Sequence, residues 1–138
     1  MQNLMTATWA GGMRFVHRSA SGHAAVTDAA AAGGGPSSAP SPMEMVILGL
    51  IGCTGVDVTS ILHKMKQPLE GLEVSAVSER AEEHPRVYTR IHVTYTLRGD
   101  LDEKKVRRAV ALSEQTYCSV TAMLRGTAEI TSEVVINP

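Results

Sequence analysis

The sequence predicts an α+β fold in which curved antiparallel sheets wrap one long buried helix, and three stretches carry that prediction. Residues 41–67 open with a helix-capping signature and are apolar on every side from Met45 to Ile51. Residues 86–98 alternate apolar and polar side chains with the period of two of a half-buried antiparallel strand. Short β-favouring runs before Asp28 add a small antiparallel sheet. A chain of 138 residues is long enough to bury about two thirds of its unfolded surface, and a single domain over residues 1–138 is expected.

In chain order, residues 4–9 and 13–18 are strands joined by Gly11-Gly12, a pair that supplies the positive φ angles of a tight hairpin turn. Residues 23–27 add a third strand. Arg14 and Arg18 alternate onto one strand face, which is either solvated sheet surface or, for one of them, the wall of an anion-binding pocket. Residues 29–40, AAAAGGGPSSAP, have no apolar periodicity and form a loop feeding the long helix, either a disordered excursion or a mobile cover over a site.

The helix itself begins with Ser41-Pro42-Met43-Glu44. Ser41 accepts a first-turn N–H, Pro42 suits the first helical position and Glu44 reaches back to the cap. Its first half is expected to be buried all round. Towards the end Asp57, Ser60, His63, Lys64 and Lys66 bring polarity while Val58, Ile61, Leu62 and Met65 keep one apolar stripe, until Pro68 stops the helix. Gly49, Gly52 and Gly55 recur every third residue although each costs roughly 1 kcal/mol relative to alanine, so a close approach on that face is expected. Cys53, among them, is either an inert small hydrophobe or a guarded nucleophile.

Residues 72–80 form a strand, residues 82–85 a turn, and residues 86–98 the clearest strand of the chain. Val87, Thr89, Ile91, Val93, Tyr95 and Leu97 share the face that covers the helix, which leaves His92 exposed on the other. Asp100-x-x-Glu103 offers a second cap, after which Val106, Ala109, Val110, Ser113 and Tyr117 recur at helical spacing opposite the solvated Lys104, Lys105, Arg107 and Arg108. Residues 117–124 form a short helix with Cys118 at its start, where unpaired N–H groups and the macrodipole are expected to lower the thiol pKa. Residues 128–136 complete the sheet, with Ile130, Ser132, Val134 and Ile136 inward.

Composition narrows the function classes. A net charge of −1 and 4% aromatic residues provide neither a field for nucleic acid or anionic membrane nor stacking platforms, leaving a small-molecule role. The apolar part of the long helix, interrupted at Asp57, falls short of the roughly 20 residues of a membrane span. MQNLMTATWAGG lacks a basic region followed by an apolar run, so no signal peptide is expected and the cytoplasm is the expected location. Two cysteines exclude a four-cysteine zinc site, and in a reducing compartment a pairing between them would serve chemistry and not architecture.

SPMEMVILGLIGCTGVDV followed by TYCSVTAMLRG, with the preceding GMRF and SGHAAVTD strands, resembles the OsmC/Ohr family of thiol peroxidases, most closely its OsmC-like branch. The resemblance covers nearly the whole chain. It implies an intertwined homodimer whose two central helices pack together, with active sites at the interface, which would explain the glycine spacing. It also implies that Cys53 attacks the peroxide O–O bond and that Cys118 condenses with the resulting sulfenic acid to a disulfide. An external dithiol then reduces that disulfide: a lipoylated protein, thioredoxin or a small thiol. No metal or organic cofactor is called for. Family members further use a glutamate at the helix entry and an arginine from the N-terminal strands; here Met43 takes the glutamate position with Glu44 one residue later, and Arg14 is displaced by one. Ser119 follows the second cysteine where many members have proline. Two other classes stay open: a non-catalytic dimer binding a small apolar ligand at the subunit interface, and a hotdog-like thioesterase or acyl-binding protein.

Overall fold

The structure, a computed structural model, describes residues 3–138. They form two units, one ending at Ile47 and one running from Leu48 to Pro138.

The first unit holds β1 (Thr6–Trp9), β2 (Phe15–Arg18) and β3 (Ala24–Thr27), an antiparallel sheet in that order, as the sequence predicts. Gly11 and Gly12 have φ of 94° and 59°, the left-handed values the turn requires. Arg14 lies in this turn and not on a strand, its N–H donating to the Gly11 carbonyl at 3.0 Å. Strand burial is slight: Trp9, Met13 and Val26 stay exposed.

The 29–40 loop is not featureless. It contains a 3-10 turn (Ala31–Gly33) and is closed by the buried Asp28, whose N–H donates to the Pro40 carbonyl at 3.0 Å. The Asp28 carboxylate accepts from the Ser38 hydroxyl at 2.6 Å, the Ser38 N–H at 2.9 Å and the Ala29 N–H at 2.8 Å. Those Ser38 bonds, aided by the Ala29 N–H and the nearby Arg14 charge, hold its pKa below the ordinary carboxylate value.

Helix α1 (Pro42–Lys64) starts with the predicted reciprocal cap: Ser41 N–H donates to Glu44 Oε1 at 2.9 Å and Glu44 N–H to Ser41 Oγ at 3.2 Å. It ends in a Schellman arrangement, with Lys66 N–H donating to the His63 carbonyl at 3.0 Å and Gln67 N–H to the Leu62 carbonyl at 2.9 Å. Lys66 takes φ of 58°, the position where glycine is usual. Lys66→Gly should therefore stabilise the protein by about 1 kcal/mol, read as a raised urea midpoint at unchanged slope.

The expectation that the first half of α1 is buried all round is corrected. Its buried residues are Leu50, Thr54, Val58 and Leu62, a single stripe at four-residue spacing, while Val46, Leu48 and Val56 are exposed. Among the glycines, a Cβ at Gly55 would meet Val74 Cγ2 at 3.6 Å, but Gly49 and Gly52 face open space. The length argument against a membrane span is also corrected: α1 has 23 residues and an 18-residue window of mean hydropathy 1.9, enough by length and composition. Its buried stripe instead carries polar bonds to the sheet and to a later turn, described below.

The second unit contains β4 (Leu69–Arg80), β5 (Tyr88–Gly99) and β6 (Glu129–Ile136), in that order. β4 and β5 are antiparallel, but β6 runs parallel to β5, so the sheet is mixed and not wholly antiparallel as expected. A parallel neighbour needs a long crossover, and the chain supplies one through α2 (Glu103–Leu112), a π-helical turn (Ser113–Tyr117) and α3 (Ser119–Leu124). Ile91, Val93, Tyr95 and Leu97 of β5 are fully buried, as their alternation predicts. Ser132 of β6, expected inward, is exposed.

Asp102, not Asp100, caps α2, its Oδ1 accepting from Lys104 N–H at 2.9 Å and Lys105 N–H at 3.2 Å. The shift follows from Gly99, whose φ of 138° redirects the chain, and from Gln67, whose side chain accepts the Asp102 N–H at 2.8 Å. Val106, Ala109, Val110 and Ser113 are buried as predicted, whereas Tyr117 is exposed. The π turn breaks the 3.6-residue period between them.

Candidate functional site

Both predicted cysteines belong to the second unit, and the fold brings them together. Cys53, on α1, is half-buried; Cys118, the N-cap of α3, is buried, and neither is disulfide-bonded. Asp57 follows Cys53 by four positions and therefore shares its helix face. The two Sγ atoms and an Asp57 carboxylate oxygen all lie within 4.8 Å of one another. The π turn delivers Cys118, whose N–H reaches back five residues to the Ser113 carbonyl at 2.7 Å. Such local widenings recur at functional sites.

Cys118 does sit at a helix start, with the Thr121 N–H donating to its sulfur at 3.4 Å. Its pKa is nevertheless raised, against expectation. Burial disfavours the thiolate, the Cys53 sulfur beside it adds to that effect, and the Thr121 contacts only partly offset both. Cys118 is consequently a thiol at neutral pH.

Beneath the sulfurs runs a buried polar chain that the sequence reading missed. Ser113 Oγ donates to Asp57 Oδ2 at 2.9 Å and contacts Thr54 Oγ1 at 2.7 Å. Thr54 Oγ1 contacts Tyr95 Oη at 2.8 Å, and Tyr95 donates to Glu114 Oε2 at 3.1 Å. The other Glu114 oxygen accepts from Ser132 Oγ at 3.0 Å. Burial, with a further push from the Glu114 charge, raises the Tyr95 pKa, so the phenol keeps its proton. The available signal was Thr54 and Asp57 interrupting an apolar helix, with Ser113 and Tyr95 at core-facing positions of their own elements.

A cavity of about 460 Å³ opens beside Asp57, lined by Ile61, Lys64, Met65, Leu112 and Tyr117, with room for a small apolar group. A larger groove of about 820 Å³ runs along the glycine face of α1 past Leu48, Gly52, Val56, His63 and Val74. The two sulfurs and the carboxylate fall one ligand short of a closed structural zinc site.

Glu44 and Arg14 belong to the first unit. Glu44 Oε1 is engaged by the Ser41 N–H of the cap, and Arg14 is an exposed turn residue whose charge acts on Asp28.

The family described as OsmC-like protein matches residues 34–133. Protein YhfA of Escherichia coli (strain K12) is 44% identical over 124 residues, covering 89% of this chain and 90% of that protein. A hypothetical protein from Aquifex aeolicus VF5 superposes with TM-score 0.83 at 26% identity, over 100% of this chain and 99% of the other. The organic hydroperoxide resistance protein OhrB of Bacillus subtilis shares the fold at TM-score 0.62 and 21% identity, covering 97% of this chain and 98% of its own. The match across most of the chain, together with the YhfA relationship, shows that the protein belongs to the OsmC-like family.

Proposed function

We propose that the protein is a thiol-dependent peroxidase that reduces organic hydroperoxides, with Cys53 peroxidatic and Cys118 resolving. The carrying observation is a half-buried and a buried sulfur within 4.8 Å, drawn from elements far apart in sequence. The Cys53 thiolate attacks the distal peroxide oxygen, the O–O bond breaks, and the alkoxide leaves and is protonated. Cys118 then displaces water from the sulfenic acid, forming the disulfide. OhrB supports the substrate class by its description as an organic hydroperoxide resistance protein. The small apolar cavity beside Asp57 suits the organic group.

Regeneration falls to an external dithiol: a lipoylated protein, thioredoxin or a small thiol, in a reducing compartment such as the cytoplasm. Glu44 and Arg14 are carried over from the family pattern as groups that serve the peroxide site. The working unit is an intertwined homodimer: the exposed Leu48 and Val56, the open Gly49 and Gly52, and the unburied N-terminal sheet support it. The groove along α1 favours a second reading, a non-catalytic dimer that binds a small apolar ligand.

One experiment separates the two. Reduced protein given one equivalent of cumene hydroperoxide should rapidly lose both thiols and about 2 Da of mass, by intact mass and thiol counting. Thiols persisting at the rate of free cysteine would leave only the binding reading.

A further inference from the structure

The buried chain between Asp57 and Glu114 has one proton too few if both carboxyl groups are ionised. It contains four oxygen–oxygen contacts, Asp57–Ser113, Ser113–Thr54, Thr54–Tyr95 and Tyr95–Glu114, at 2.9, 2.7, 2.8 and 3.1 Å, but only three hydroxyl protons. The middle oxygens belong to Ser113, Thr54 and Tyr95, each no more than 1% exposed. These separations leave no room for a bridging water, and an oxygen pair without a proton would face lone pair to lone pair in a low-dielectric interior.

We propose that Asp57 and Glu114 share a fourth proton through these hydroxyls, and that its position on the chain sets whether Asp57 is free to accept a proton from the sulfur pair. With the proton on Asp57, every bond points towards Glu114. With it on Glu114, every bond points towards Asp57. A concerted shift of four protons interconverts the two states without moving a heavy atom, so one net proton travels from half-buried Glu114 to Asp57, within 4.8 Å of both sulfurs.

The catalytic use of the chain rests on the peroxidase reading. Ionised Asp57 takes the proton of the Cys53 thiol. When the S–O bond forms and the O–O bond breaks, the leaving alkoxide takes the electron pair and receives that proton from Asp57. In the second step the Cys118 proton leaves with the departing hydroxide as water. The charged and titratable groups around Asp57 are Cys53 on α1, Cys118 at α3, and Lys64 and Tyr117 lining its cavity. Around Glu114 they are Tyr95 of β5, Arg107 of α2 and Glu133 of β6, with Arg125 Nη1 donating to its carbonyl at 3.5 Å. Asp57 is thus a proton-transfer residue, and Thr54, Ser113 and Tyr95 position its proton.

Thr54→Val gives the sharpest test because the proton count changes while both carboxyl groups remain. Only Ser113–Asp57 and Tyr95–Glu114 survive, two contacts served by two hydroxyl protons. Infrared spectra of the reduced wild type near neutral pH should show a protonated-carboxyl C=O band that shifts in D2O, and Thr54→Val should lose it. Asp57, then always ionised, should move the pH profile of Cys53 alkylation by iodoacetamide up by about one unit, roughly tenfold slower at neutral pH. Should Thr54→Val fold poorly, Tyr95→Phe makes the same count, leaving Thr54–Ser113 and Ser113–Asp57 with two protons. No protonated carboxyl in the wild type, or a band that survives both substitutions, would overturn the proposal. A band that behaves as stated alongside thiols inert to hydroperoxide would keep the chain and remove the peroxidase.

Discussion

Cys53→Ser should abolish hydroperoxide reduction, lowering the rate at least about 10³-fold, or about 4 kcal/mol of activation free energy. A serine hydroxyl is far less acidic than a thiol and so is not a comparable nucleophile at neutral pH, and sulfenic chemistry requires sulfur. Cys118→Ser should fail differently: one rapid equivalent of hydroperoxide is consumed and Cys53 stops as a sulfenic acid that a dimedone reagent captures. The raised Cys118 pKa adds a pH signature, since burial keeps this group a thiol at neutral pH. Raising the pH towards its range increases the thiolate fraction, so in the wild type disulfide closure should accelerate. Stopped-flow oxidation with thiol counting at several pH values reads both steps. Equal loss in the two variants, with no trapped sulfenic acid, would contradict the assignment of roles.

Val56→Arg should turn a dimer into a monomer. Val56 is 70% exposed within one chain, where a charged replacement on an ordinary surface would change stability by no more than about 0.5 kcal/mol. If two α1 helices pack through the Gly49 and Gly52 face, the same side chain places an unpaired guanidinium in an apolar seam, at a cost of several kcal/mol. The dissociation constant should then rise at least about a hundredfold. Sedimentation velocity across a concentration series measures it, with circular dichroism confirming that the subunit stays folded. A monomeric wild type, or a variant that dimerises as tightly as the wild type, would remove the helix seam from the proposed assembly.

Much of this architecture was legible because its signals are local. The Ser41 and Glu44 cap, the alternation from Ile91 to Leu97 and the Gly11-Gly12 turn each depend on neighbours a few residues away, and each forms as read. The direction of β6 was not legible, because it depends on the path of the whole crossover and no strand residue encodes it. Burial of α1 was overestimated for a related reason: apolar character says that a surface needs covering without saying by which chain. At the site, both cysteines could be named in advance, but the expected pKa of Cys118 was wrong because helix-end stabilisation is local and desolvation is not. The chain from Asp57 to Glu114 stayed hidden because its members come from three separate elements and look ordinary in each.

The π turn also acts as a phase adjuster. Successive α-helical residues are about 100° apart around the axis, so removing one residue between Ser113 and Cys118 would rotate everything downstream by roughly that angle. Such a deletion would leave helical content and composition almost untouched, yet it would swing the Cys118 sulfur away from Cys53. Spacing between Ser113 and Cys118 is therefore constrained to the single residue, although the loops that join the strands have no such requirement. A lineage could keep both cysteines and the fold and still lose their pairing through one codon.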